Sequence, residues 1–125
     1  MSLDIYLKGP AETVECRCSE CDHVHERTCS PILYRANVAH NLNRMAKEAR
    51  LYLYLWRPDE VNVTVAHELL VPLTTGLELL KRDATRFRAL DALNGWGRWE
   101  DLVSCVRKYL AACRAHPDAR VEVSR

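Results

Sequence analysis

The sequence is poor in the residues that mark disordered or fibrous chains, with only four glycines and five prolines among 125 residues. Apolar residues make up 48% and charged residues 28%, which is typical of a globular protein and excludes a disordered tail. A chain of this length corresponds to one ordinary domain. We therefore predict that residues 1–125 form a single domain.

An excess of one charge and long apolar runs are also missing. The 18 basic and 17 acidic residues leave a net charge of +1, whereas a dedicated duplex-DNA binder usually has a clear basic excess. The longest apolar run, residues 51–56, is far shorter than the roughly 20 residues that cross a bilayer. We expect no membrane partner, and nucleic acid is not favoured.

The densest basic stretch, with Lys81, Arg82, Arg86 and Arg88, predicts a solvated helix face or, alternatively, a phosphate-contacting patch.

An export signal is absent as well, because the N-terminal segment has no basic region followed by a long apolar core. The expected compartment is the reducing cytoplasm, where thiols persist as thiols or as metal ligands. This expectation favours metal binding over disulfides for the clustered cysteines.

The most informative segment is a cluster of cysteines and histidines within fourteen positions: Cys16, Cys18, Cys21, His23, His25 and Cys29. Zinc prefers four thiolate or imidazole ligands in a tetrahedron. We predict a metal-binding hairpin over residues 13–29 that turns at residues 19–20. If Cys18 faces Cys21 across this turn, Cys16 faces His23, and side-chain alternation places these four residues and His25 on one face.

The predicted cofactor is therefore one zinc ion in a closed, structural site. Cys16, Cys18 and Cys21 would supply three ligands, and the fourth would be the imidazole of either His23 or His25. Cys29 is a reserve ligand. The alternatives are an open site with three of these ligands plus a substrate, free thiols, or disulfides. Cys105 and Cys113 are interpreted separately, as buried thiols of a C-terminal helix.

Hydrophobic periodicity predicts an α+β fold. Alternation at Leu3, Ile5 and Leu7 predicts an N-terminal strand, and Val121 with Val123 predicts a C-terminal strand. Helical spacing predicts helices over residues 32–50, from residue 64 to about residue 80 with a kink or break at Pro72, and over residues 99–115. Residues 51–56 suit either a strand or a helix. We expect a small antiparallel sheet that includes both terminal strands, about three helices on one face, and the zinc hairpin.

Four polar residues on the first predicted helix form a candidate ligand-binding site: Asn37, His40, Asn41 and Arg44. Their i, i+3, i+4, i+7 spacing places them on one helical face. His40 is the candidate catalytic residue, because imidazole titrates near neutral pH. A solvated face or a buried network is the alternative. Trp96, between two glycines, is a candidate ligand wall. The sequence contains no phosphate-binding P-loop, nucleophile elbow or HExxH zinc motif.

Several short segments carry a resemblance to a known family. They are Met-Ser-Leu-Asp-Ile-Tyr-Leu at residues 1–7, Asn-Val-Ala-His-Asn-Leu at 37–42, Leu-Trp-Arg-Pro at 55–58, Asn-Gly-Trp-Gly at 94–97 and Glu-Val-Ser-Arg at 122–125. The chain resembles small uncharacterised proteins encoded by bacterial viruses and bacteria, whose second motif reads Asn-Ile-Thr-His-Asn-Leu. Val38-Ala39 departs from that motif and removes a hydroxyl beside His40.

The resemblance implies a phage-type accessory protein in the host-cell cytoplasm and supplies no reaction. Some similar proteins lack the Cys/His insert, which implies a structural or regulatory metal. The leading hypothesis is a zinc-stabilised interaction module that binds a protein or small-molecule partner. The alternatives are a small enzyme that uses His40 with Asn37, Asn41 and Arg44, and a zinc protein that binds nucleic acid.

Overall fold

The structure, a computed structural model, describes residues 2–10, 12–17, 24–90 and 97–125, and for residues 12–17 and 24–29 it describes the backbone only. Within these ranges the fold is α+β, as predicted. The strands are β1 (Ser2–Lys8), β2 (Glu12–Arg17), β3 (Val24–Cys29), β4 (Ile32–Ala39) and β5 (Arg120–Ser124). The helices are α1 (Asn43–Glu48), α2 (Tyr52–Trp56), α3 (Leu70–Arg82), α4 (Ala84–Arg88) and α5 (Trp99–Ala115), with short 3-10 helices at His40–Leu42, Pro58–Val61 and Ala66–Leu69.

The main sheet has three antiparallel strands in the order β4-β1-β5. Ile5 at its centre pairs with Ala36 on one side and with Val123 on the other. The prediction that the N-terminal and C-terminal strands lie side by side in a small antiparallel sheet is therefore confirmed.

One face of this sheet is packed against the core. Leu3, Ile5 and Leu7 are fully buried, and the residues between them are only half-buried. The opposite face is polar: the Arg35 guanidinium lies 5.7 Å from the centre of the Tyr6 ring. Such alternation along a strand is typical of an antiparallel sheet with one solvated face.

The longest helix, α5, packs against α3 and β4. Its bounds agree with the prediction, because Leu102, Val106 and Leu110 repeat at helical spacing and are buried. The Asp101 Oδ2 atom accepts the Arg98 backbone N–H at 3.1 Å, which satisfies one of the amide donors that a helix start leaves free.

The prediction of one helix over residues 32–50 is wrong. Residues 32–39 form β4, and helical structure begins only at His40. Tyr34 and Val38 alternate toward the core as partners of Leu7 and Leu3, so the strand period governs this stretch. The helical spacing of apolar residues in the sequence corresponds to helical structure only from residue 40 onward.

Two further expectations are corrected or resolved. Pro72 neither kinks nor breaks α3, because it lies in the first turn, where no intrahelical N–H bond is required. Residues 52–56, which suited a strand or a helix, form α2, and Leu55 and Trp56 are buried. None of the helices in the described parts of the chain is both long and apolar enough to cross a lipid bilayer.

The second sheet is the hairpin of β2 and β3. Its strands agree with the two predicted arms, but the register differs from the predicted one. Cys16 pairs with His25, and Arg17 pairs with Val24. The expected pairing of Cys16 with His23 is therefore wrong. The observed partner, His25, lies two residues further along the chain.

Candidate functional site

None of the described residues pairs with the outer edge of β4. β1 pairs with the inner edge, and no backbone hydrogen bond from the described residues reaches the outer edge. The opposite edge of the sheet is covered, because the Val121 N–H donates to the Thr64 carbonyl at 2.9 Å. An open strand edge presents unpaired N–H and C=O groups that can pair with another chain.

A cleft of about 510 Å³ runs between β4 and α5, and we call it the β4–α5 cleft. Residues 34–39 line it consecutively, so it follows the strand edge rather than one face of the sheet. The α5 wall has four residues at i, i+3, i+4 and i+7 spacing, and therefore on one helical face: Asp101, Ser104, Cys105 and Lys108. Leu42 and Gly97 also line the cleft.

The cleft is basic at one end. Tyr34 stacks on Tyr109 with ring centres 5.9 Å apart, whereas Gly97 packs against Asn41 beyond the other end of β4. The helix α5 therefore runs antiparallel to β4. This direction places Lys108 toward the end of the cleft formed by residues 34 and 35, and Asp101 toward the opposite end.

The Cys105 thiol and the Tyr34 phenol in the cleft are neutral at physiological pH. Burial raises the pKa of the Cys105 thiol to about 11, although the nearby Lys108 ammonium acts in the opposite direction. Burial also raises the pKa of the Tyr34 phenol to about 12, with smaller contributions from Cys105 and Cys113. Because the thiolate is the reactive form of cysteine, Cys105 is not an activated nucleophile.

The structure separates the four polar residues that were predicted to share a helical face. Asn37 lies on β4 and lines the β4–α5 cleft; its Nδ2 donates to Ser2 Oγ at 2.8 Å and to Asp4 Oδ1 at 2.9 Å. Arg44 lies exposed on α1. The shared face is therefore wrong, because residue 37 belongs to a strand. A role of these residues in ligand binding stays a prediction.

His40 packs against an aromatic side chain. Its ring is perpendicular to that of Trp56, with centres 6.3 Å apart. The His40 Nε2 and Trp56 Nε1 atoms are buried and have no hydrogen-bond partner among the described residues. His40 does not line the β4–α5 cleft. Its catalytic role stays a prediction, and Trp96 lies outside the described residues.

Parts of three segments that carried the family resemblance meet in the fold. His40 contacts Trp56 from the Leu-Trp-Arg-Pro segment, and Gly97 contacts Asn41. Gly97 has a φ of +80°, and a Cβ there would lie 2.9 Å from the Asn41 Cβ. Glycine is therefore required at residue 97 for packing, independently of any chemistry.

The predicted metal ligands lie largely outside the described residues, since these exclude Cys18, Cys21 and His23. Cys16 and His25 occupy directly opposed positions and therefore the same face of the hairpin ladder. Among the residues whose side chains the structure describes, no group of three or more His, Cys, Asp or Glu could hold a metal ion.

The basic stretch near α4 is partly neutralised. The Arg86 guanidinium lies 3.9 Å from the Glu48 carboxylate and 3.8 Å from that of Asp83, and Arg88 lies 3.5 Å from Glu100. Two of its four cations are thus engaged by carboxylates. Nucleic-acid binding through this stretch stays a prediction.

Sequence reasoning missed the β4–α5 cleft. The spacing of Asp101, Ser104, Cys105 and Lys108 is visible in the sequence, but the prediction of a helix over residues 32–50 conceals the strand opposite them. Comparison with family models, curated proteins and solved structures finds no match. Function is therefore argued from the geometry of the site itself.

Proposed function

We propose that the protein is an interaction module that binds an extended peptide segment of a partner protein along β4. The observation that carries this proposal is the open outer edge of β4 beside the cleft formed with α5. An added strand gains main-chain hydrogen bonds from such an edge, and its alternate side chains enter the adjoining cleft.

The lining of the cleft defines the chemistry of the peptide. Val38 and Leu42 are almost fully buried, so the half-buried Ala36 provides most of the apolar surface, which suits a small apolar side chain. Lys108 on α5 provides positive charge at the other end, whereas the Arg35 guanidinium lies over the Tyr6 ring on the opposite face of the sheet. We therefore propose a peptide in which an acidic residue follows or precedes the apolar anchor, with the carboxylate beside Lys108.

The experiment is a selection of linear peptides from a random library, followed by mapping of amide chemical shifts. Peptides with an acidic residue near an apolar one should be enriched, and they should shift residues 34–39 and 101–108. Methylation of alternate backbone nitrogens of a selected peptide should abolish binding, because it removes the strand hydrogen bonds. Shifts that map elsewhere, or affinity that stays unchanged after methylation of each of the two alternate sets in turn, would contradict the proposal.

A charge reversal tests the basic end of the cleft. Lys108→Glu should weaken binding of the acidic peptide about tenfold or more, which corresponds to about 1.4 kcal/mol. The exposed neighbour Arg107 does not line the cleft. Arg107→Glu, with the same change in net charge, should leave the affinity nearly unchanged. Equal losses for the two variants would show a general charge effect instead.

We also propose that the β2–β3 hairpin binds one zinc ion. Support comes from the register, which places Cys16 opposite His25. This pairing favours His25 over His23 as the imidazole that acts with Cys16, while Cys18 and Cys21 complete a four-ligand set. A closed set of thiolates and imidazole would stabilise the hairpin as a structural site, and it fits a reducing cytoplasm such as that of a phage host.

Elemental analysis of the purified protein tests the zinc proposal. We expect one zinc per chain in the unchanged protein and in Cys105→Ser, whose cysteine lies on α5 and not in the hairpin. Cys16→Ser and His25→Ala should each lower the zinc content well below one per chain. Metal-free protein, or full occupancy in both hairpin variants, would contradict the proposed ligands.

A further inference from the structure

A second cleft, of about 900 Å³, lies between the C-terminal end of α1 and the helix α3, and we call it the α1–α3 cleft. It shares no lining residue with the β4–α5 cleft. Its apolar wall consists of Tyr54, Val71, Pro72 and Leu79. Its rim carries the cations Lys47, Arg50, Arg82 and Arg86 and the carboxylates Glu48 and Glu78.

Positive charge is concentrated in this cleft. Its charged lining residues have a net charge of +2, whereas the whole chain has +1. Arg86 is held by Glu48 and Asp83, and the Lys47 ammonium lies 4.7 Å from the centre of the Tyr52 ring. The other two cations that line the cleft are Arg50 and Arg82.

Arg50 and Arg82 are the cations that remain available. Neither side chain forms an ion pair or hydrogen bond with the described residues. Both are exposed and line the same cleft. Guanidinium groups present paired N–H donors that match the oxygens of a phosphate or carboxylate. The two arginines are thus suited to hold one anionic group.

The backbone of Arg50 provides a second observation. Its φ is +61°, a left-handed conformation that a residue with a Cβ rarely adopts. The position directly after a helix is commonly glycine for this reason. An arginine there is less favourable for folding than glycine, yet it places a guanidinium on the rim of the cleft. Strained positions of this kind cluster at binding sites.

The apolar wall defines the remainder of the ligand. Val71 is 75% exposed, and Tyr54, which lines the same cleft, is half-buried. A flat aromatic group could cover Val71 and pack against Tyr54. Glu78 disfavours additional negative charge, so it limits the ligand to one anionic group. The geometry points to a binding site for a small phosphate monoester that carries a planar aromatic group.

Titration with adenosine monophosphate tests the site, with inorganic phosphate and adenosine as separate arms. The monophosphate should bind at least tenfold more tightly than either part, and it should shift residues 47–50 and 71–82. Its affinity should fall with added salt. Adenosine that binds as tightly as the monophosphate, or no binding of the monophosphate at millimolar concentration, would overturn the inference.

Two pairs of variants separate binding from folding. Arg50→Gly should weaken binding of the monophosphate at least fivefold, while the melting temperature stays equal or rises. Asn62→Gly is the matched control, because Asn62 also has a positive φ, of 58°, and does not line the cleft. It should leave binding unchanged.

The second pair compares neighbouring cations on α3. Arg82→Ala should weaken binding at least fivefold, and Lys81→Ala, whose residue does not line the cleft, should not. Unchanged affinity in Arg50→Gly, or equal losses for Lys81→Ala and Arg82→Ala, would overturn the inference. Peptide binding at the β4–α5 cleft should be unaffected in all four variants, so the two proposals fail independently.

Discussion

Gly76 lies in the middle of α3, with its backbone directly against Leu51. A Cβ at residue 76 would lie 2.2 Å from the Leu51 Cδ2 and 2.4 Å from its Cγ. Leu51 is fully buried and surrounded by the core, so it has little freedom to move. The close approach of the helix to Leu51 therefore depends on the absence of a side chain at residue 76.

Gly76→Ala should lower the free energy of unfolding. Overpacking a core costs about 1–3 kcal/mol, which outweighs the gain of about 1 kcal/mol that alanine brings to a helix interior. Urea denaturation measures the difference. In a Leu51→Ala background the same change should cost less, because space is then available. An equal cost in both backgrounds would show that the clash with Leu51 is not the cause.

The start of the helical segment that contains α3 depends on one carboxylate. The Glu68 Oε1 atom accepts the backbone N–H groups of Thr64 at 3.0 Å and Val65 at 3.1 Å, and the Thr64 hydroxyl at 3.1 Å. The hydrogen bond from the Thr64 backbone is the largest cause of a lowered Glu68 pKa, followed by that from Val65. These bonds stabilise the charged carboxylate at the helix start.

Glu68→Gln should lower stability at neutral pH and should weaken its dependence on acid. Because the folded pKa of Glu68 lies below the ordinary value of 4.5, its stabilisation is complete above that value and is lost as pH falls through the folded pKa. Denaturation midpoints at pH 7 and pH 3 measure this: the two proteins should differ more at pH 7. Glu78→Gln, which removes a carboxylate from α3 itself, should show no such convergence.

The elements that could be predicted are those whose periodicity is complete within their own sequence. Leu3, Ile5 and Leu7 alternate through the whole of β1, and α5 has an uninterrupted apolar stripe, so both were predicted correctly. The strand β4 was not predicted. Val38 fits the two-residue period of the strand that precedes it and also the helical spacing with Leu42 and Met45 that follows it. The β4–α5 cleft depends on which strand lies at the edge of the sheet, and local sequence does not determine this.

At the scale of the whole molecule, one apolar core connects the sheet to the helices. Its buried residues come from β1, β4 and all five helices of the described chain, with Phe87 as the contribution of α4. Thus every helix adds to the same core. Val123 on β5 packs against it from the edge of the sheet, 118 residues after its partner Ile5. A single core of this kind predicts cooperative unfolding.

Val123→Asp should therefore destabilise the whole molecule and not only β5. The carboxylate would be placed against the core, with an expected loss of about 1–3 kcal/mol. Tryptophan fluorescence and far-UV circular dichroism should report the same lowered urea midpoint. Ser124→Asn, an uncharged change at an exposed position, should have little effect. Separate midpoints for the two signals would show that β5 and the helices unfold independently.

The position of β1 between β4 and β5 has a consequence for synthesis on the ribosome. Asp4 pairs with Ser124, so this contact cannot form until about 120 further residues have been added, which takes roughly 6–24 s at the usual rate of translation. β4 can join β1 much earlier and leaves its other edge exposed during this interval. The nascent chain thus displays one unpaired edge of β1 to chaperones, or to neighbouring chains on a polysome, until β5 emerges.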